Sequence, residues 1–276
     1  MPVKSIVVRT LLFMVTLTAA AQSSCVASHT AGEWSPDAGD VVVRELRLLG
    51  IDYLEVVPVG TAANADLPMI VFFHGRGDRP HTPRGRFMGL EDPVRLIVPR
   101  APSRYGFGFS WLPVSARDGE SPELVEALRE TGAHLANLIE GLQDRHRTLG
   151  SPIVMGFSQG GMLTYTLAVN HPEVVGAAFP LAGWLPPSLM PEQRREHTTY
   201  PMIRALHGAD DPVLSASRTV RATRELEARG FAATVRTFED VPHEMSDAMW
   251  QHLREHVARE VRKRFIVGRR RIGPFV

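Results

Sequence analysis

Ser158 lies in Gly156-Phe157-Ser158-Gln159-Gly160-Gly161, a G-x-S-x-G pattern preceded by the apolar run Ile153–Met155 and followed by an amphipathic segment. Glycines flanking a serine permit a tight strand-to-helix turn that pushes the hydroxyl out at the carboxyl end of a sheet. A serine hydroxyl is a weak nucleophile until a histidine takes its proton, and that histidine must be oriented by a carboxylate. On such a turn the acid and then the histidine follow the serine, each after a later strand.

Both partners are present in that order. Asp210 and Asp211 lie in His207-Gly208-Ala209-Asp210-Asp211-Pro212, directly after the run Met202–Leu206. His243 lies in Val241-Pro242-His243-Glu244-Met245, after Thr234–Phe238. Of the eleven histidines, His252 and His256 sit on a helical pattern, while His171 and His197 have no strand leading to them. His207 does follow a strand, but no later strand then remains to supply its acid, so it reads as the start of the turn that presents the carboxylate. Asp240 is too near His243 in the chain to be a partner from a separate loop. Asp211 is taken as the acid, with Asp210 as the alternate. Acyl transfer also needs donors for the oxygen that becomes negative, and that stabilisation is usually the largest single catalytic contribution. The backbone N–H of Gln159 is one expected donor; that of Arg76, in Phe73-His74-Gly75-Arg76-Gly77-Asp78, is the other. His74 reads as a loop-shaping residue bonded to backbone.

Short apolar runs alternating with longer amphipathic ones position these groups, a pattern that predicts an α/β fold with a mostly parallel sheet flanked by helices. The predicted strands are Met69–Phe73, Leu96–Val98, Ile153–Met155, Ala177–Leu181, Met202–Leu206 and Thr234–Phe238, with a hairpin at the sheet edge over 41–57 broken at Gly50. Ser121-Pro122-Glu123 offers an N-cap followed by proline at the first helical position, and Leu124, Leu128, Leu135, Leu138 and Leu142 then keep helical spacing. Further helices are expected over 160–170, over 217–229 and through Met245, Met249, Leu253 and Val257. The stretches 76–91 and 102–119, dense in Gly, Pro and Arg, are long loops.

These motifs, together with Leu181-Ala182-Gly183-Trp184-Leu185-Pro186, resemble the phospholipase/carboxylesterase branch of the α/β-hydrolases, which includes the acyl-protein thioesterases. The likeness spans roughly 67–257 and implies the α/β-hydrolase fold, Asp211 as the acid, and Arg76 and Gln159 at the oxyanion-hole positions. Arg76 stands where an apolar residue is usual in the family, and Trp111-Leu112-Pro113 replaces a Trp-Phe-Asp-like stretch. Trp111 and Trp184 are expected either to line a substrate pocket or to pack in the core.

At 276 residues with 44% apolar composition the chain suits a single catalytic domain, assigned to 41–264. A formal net charge of +1 gives no reason to expect nucleic acid. The charged start and apolar run of residues 1–21 read as an export signal, too short for a membrane span, followed by a polar linker over 22–40. A secreted, periplasmic or cell-envelope location follows. Cys25 is the single cysteine, which excludes an intrachain disulfide; the preceding Gln22-Ser23-Ser24 argues against lipid attachment there. Residues 265–276 are assigned to a basic tail, preceded by Arg262-Lys263-Arg264, that is either solvated or held against an anionic envelope or membrane surface. No metal or cofactor is expected, because no ligand spacing such as H-E-x-x-H occurs. The expected activity is hydrolysis of a small-molecule or lipid carboxylic ester through an acyl-enzyme on Ser158. Polysaccharide acetyl or feruloyl esters and acyl thioesters are the alternative substrates, and a binding protein on a hydrolase scaffold is the alternative outside catalysis.

Overall fold

A computed structural model describes residues 5–7, 41–62, 64–80 and 90–271. Among these, eleven strands occur: β1 (Ser5–Val7), β2 (Val41–Leu48), β3 (Ile51–Pro58), β4 (Met69–Phe73), β5 (Arg95–Pro99), β6 (Ser103–Tyr105), β7 (Gly108–Ser110), β8 (Ile153–Phe157), β9 (Ala177–Leu181), β10 (Met202–Gly208) and β11 (Ala233–Phe238). The helices are α1 (Pro122–Arg145), α2 (Gln159–Asn170), α3 (Ala216–Ala228) and α4 (Asp247–Arg271). The main sheet runs β1-β2-β3-β5-β4-β8-β9-β10-β11; β5 through β11 are parallel, while β1, β2 and β3 are joined antiparallel at one edge. The hairpin turns at Leu49-Gly50, where both residues have positive φ, so the glycine is the natural occupant.

Alternation along the central strands divides the core. In β4, Met69, Val71 and Phe73 belong to the core shared with α1, α2 and α3, whereas Ile70 and Phe72 belong to the core shared with Met249, Leu253, Val257 and Val261 of α4. Strands covered on both faces need continuous apolar runs, which is why β4, β8 and β9 were legible. α1 begins as its sequence predicts: Ser121 Oγ accepts the Leu124 N–H at 3.2 Å, with Pro122 in the first turn. α2 differs from its amphipathic expectation. Residues from Gln159 through Val169 are all buried, because the helix lies between the sheet and α1.

Two boundaries also differ. Met245 precedes α4, whose cap is Ser246: its Oγ accepts the Met249 N–H at 3.3 Å. The residues assigned to a basic tail begin as the last turns of α4, with Phe265 packed on the core. The preceding basic triplet is engaged within the protein. Arg264 is buried and donates to Glu260 and to the Ser151 carbonyl, Lys263 pairs with Glu260, and Arg262 reaches Glu91.

Candidate active site

The turn from β8 into α2 holds Ser158 at φ 56° and ψ −114°, a backbone conformation that side-chain-bearing residues rarely adopt. Gly156 and Gly160 make it attainable. A Cβ on Gly160 would lie 2.1 Å from the Phe73 carbonyl oxygen, and one on Gly156 would lie 2.5 Å from that of Gly160. The Ser158 N–H is anchored to the Leu181 carbonyl on β9 at 2.9 Å.

The loops after β10 and β11 bring the partners to it. Ser158 Oγ and His243 Nε2 are 2.9 Å apart, and His243 Nδ1 lies 2.6 Å from Asp211 Oδ2. An ionised carboxylate only accepts, so Nδ1 carries the proton and Nε2 is free to accept from the serine. Asp211 is buried, whereas neighbouring Asp210 is exposed. The Asp211 carboxylate receives four donors: His243 and His207 Nε2 (2.9 Å) on Oδ2, and the N–H groups of Val213 and Leu214 (2.8 Å each) on Oδ1. Burial alone would raise this carboxyl, but bonds from His207, His243 and Leu214 outweigh it and hold the group well below the usual carboxylate range. His207 itself is fully buried; its Nδ1 meets Thr219 Oγ1 at 2.8 Å.

His74 shapes the β4 loop, as its sequence position suggests. Its Nε2 accepts the Ala101 N–H at 3.2 Å, so Nδ1 carries the proton and donates to the Gly75 carbonyl at 2.7 Å. Burial pushes this imidazole down, consistent with a neutral ring. Gly75 abuts Ser158: a Cβ there would lie 3.5 Å from Ser158 Cβ. The backbone N–H groups of Arg76 and Gln159 have no acceptor among the described residues.

Both tryptophans pack instead of lining this cleft, which corrects the substrate-pocket expectation. Trp111 packs edge-on against Phe73 and donates Nε1 to the His74 carbonyl at 2.9 Å. Trp184 is buried beneath Arg218, whose guanidinium carbon sits 5.3 Å over its ring. The cleft of about 340 Å³ beside Ser158 is walled by Met162, Val213 and Leu214, and rimmed by Arg76, Tyr105, Ser115 and Arg117. Of these rim residues, Arg76 alone was singled out from sequence; the others lie in the long 102–119 loop, where no periodicity marks which side chains turn inward. A larger groove, about 910 Å³, is lined by Ser151, Gly176, Pro201 and Arg264. These residues lie before β8, β9 and β10 and on α4, so the groove is at the amino ends of the parallel strands, away from Ser158.

A sequence model of the phospholipase/carboxylesterase family matches residues 54–260. The chain belongs to that family. Membership makes this phospholipase/carboxylesterase-family protein a hydrolase of the esterase or thioesterase kind, with the α/β-hydrolase fold in one domain. It is 23% identical over 204 residues to acyl-protein thioesterase 1 of Gibberella zeae, covering 66% of this chain and 86% of that one. It is 24% identical over 207 residues to the esterase YpfH of Escherichia coli, covering 71% and 84%. Among solved structures, a carboxylesterase from Mesorhizobium loti matches with a TM-score of 0.63 at 18% identity over 78% of this chain and 98% of that one. Acyl-protein thioesterase 2 of Zea mays matches with a TM-score of 0.59 at 23% identity over 76% and 98%. The structural likenesses speak for the fold.

Proposed function

We propose that the protein is a serine carboxylic ester hydrolase working through an acyl-enzyme. The observation that supports this most directly is the unbroken line of hydrogen bonds from Ser158 Oγ through His243 to Asp211. In the first half-reaction Ser158 Oγ bonds to the ester carbonyl carbon while its proton passes to His243 Nε2. The carbon–oxygen bond to the alcohol then breaks, and the alkoxide leaves with that proton. Water next attacks the acyl carbon, gives a proton to Nε2, and the acid departs as Ser158 regains its hydrogen. Asp211 keeps the imidazole in the Nδ1–H tautomer and stabilises the imidazolium that forms. The Arg76 and Gln159 N–H groups serve the oxyanion, Gln159 being the first residue of α2, where backbone donors are unpaired.

Hydrolysis of p-nitrophenyl esters from acetate to palmitate by the wild type, Ser158→Ala and His243→Ala tests this. Each substitution is expected to cost roughly 10³-fold or more in kcat. Equal activity in all three proteins, or a fluorophosphonate probe that leaves Ser158 unlabelled, would refute it. Export belongs to the same proposal: the sequence feature behind it lies outside the described residues apart from Ser5–Val7. Amino-terminal sequencing of the protein recovered from culture medium or envelope fractions, with a start after Ala21, is the expected result.

A further inference from the structure

Among the described residues, two donors beside Ser158 lack acceptors. Gln159 is buried and lines the cleft; its Oε1 accepts the Trp111 N–H at 3.1 Å, which fixes the amide orientation and leaves Nε2 buried with no partner. Nε of Arg76 is likewise buried and unbonded. The Arg76 guanidinium lies over the Tyr105 ring at 4.0 Å. Stacking occupies the face of that plane and leaves its terminal in-plane N–H groups for a ligand. Arg117, on the same rim, is exposed, and neither arginine forms an ion pair among the described residues. Arg218 holds the Arg117 segment by donating to the carbonyls of Ala116 (3.3 Å) and Arg117 (3.1 Å). Among the described residues no carboxylate lines the cleft: Asp211 is buried behind His243, and Asp78, in the Arg76 turn, accepts the Gly75 N–H at 3.1 Å.

Buried donors are ordinarily satisfied, and a guanidinium edge matches the paired oxygens of an oxyacid. A cleft walled by apolar side chains and rimmed by cations of one sign concentrates anions. Its volume suits a compact ligand. We infer that the substrate is a compact ester carrying an anionic oxyacid group, a carboxylate or a phosphate, bound by Arg76 and Arg117 while Ser158 attacks the ester carbonyl. This rests on the esterase reading above.

The test compares kcat/KM, measured by proton release at low ionic strength, for two matched pairs: monoethyl adipate against ethyl hexanoate, and butyryl glycerol phosphate against glycerol monobutyrate. The first pair places a carboxylate on the acyl part, the second a phosphate on the alcohol. Wild type is expected to favour the anionic member of at least one pair by about tenfold or more, and the pair that responds identifies the source of the charge. That ratio should shrink in about 0.5 M salt and approach one in the Arg76→Leu/Arg117→Leu protein. Because both esters are read on one preparation, a general loss of activity cancels. A wild-type ratio at or below one in both pairs, or a ratio that survives the double substitution, overturns the anionic-substrate inference alone. Failure to hydrolyse any of the four, together with an unlabelled Ser158 in the fluorophosphonate assay, overturns the esterase reading and this inference with it.

Discussion

His207 Nε2 and Asp211 Oδ2 are 2.9 Å apart, so the carboxylate oxygen that receives His243 also receives a second, fully buried histidine. Asp211 is thereby held from both sides, and His207 is positioned in turn by Thr219 and the Leu214 carbonyl. His207 touches Asp211 and not Ser158 or His243, so in the proposed mechanism its part is to position the carboxylate. His207→Leu, which removes the donor to Asp211, is expected to lower kcat about tenfold or more with little change in KM, the scale of one hydrogen bond to a charged group. An unchanged kcat would mean that the Val213 and Leu214 N–H groups hold Asp211 unaided.

The adjacent aspartates should separate cleanly. Asp211→Asn is expected to cost about 10³- to 10⁴-fold in kcat, since an amide can donate to Nδ1 and support the wrong tautomer. Asp210→Asn, at an exposed side chain whose backbone N–H is bound to Val241, should stay within about twofold. Kinetics on both variants check this; comparable losses would contradict the assignment of the acid.

The serine turn makes a stability prediction. Gly160→Ala puts a methyl 2.1 Å from the Phe73 carbonyl oxygen, between backbone segments that have little room to yield. It should destabilise by about 3 kcal/mol or more, or abolish folding. Gly50→Ala, where φ is 82° and nothing lies within 4 Å, should cost only about 1 kcal/mol. Thermal melts of the two variants read the difference, and equal shifts would show that the elbow relaxes.

Acid stability should follow His146. Burial first, and the nearby Arg95 charge second, push this imidazole down to about 4, against roughly 6.5 when unfolded. Between those pH values the unfolded chain binds a proton that the native protein does not, so stability is full above about pH 6.5 and declines toward pH 4. His256, also pushed down to about 4, adds in the same direction. Glu55, held low through Arg44 and Arg95 against the effect of burial, loses its contribution only as pH falls below the ordinary carboxylate range. Melting curves from pH 7 to 4.5 should lose several degrees, on the order of 2 kcal/mol, and the slope should flatten in His146→Phe. A slope unaltered by that substitution assigns the acid sensitivity elsewhere.

The sequence by itself determined what depends on near neighbours in the chain. Apolar runs marked β4 and β9 to the residue, because strands covered on both faces must be apolar throughout. Ser121-Pro122 marked the start of α1, and the glycines about Ser158 marked a turn that few other residues tolerate. Even the order of serine, acid and histidine was readable, since each follows its own strand. Only the tertiary structure decided which side chains meet. It chose Asp211 over Asp210 by burying one and exposing the other, drew Trp111 and Trp184 into packing, and engaged Arg264 with Ser151, 113 residues away. It also set Arg76 over Tyr105 beside the cleft. Local periodicity specifies the backbone path and which face of an element is apolar, but a polar side chain's partner depends on where distant loops converge.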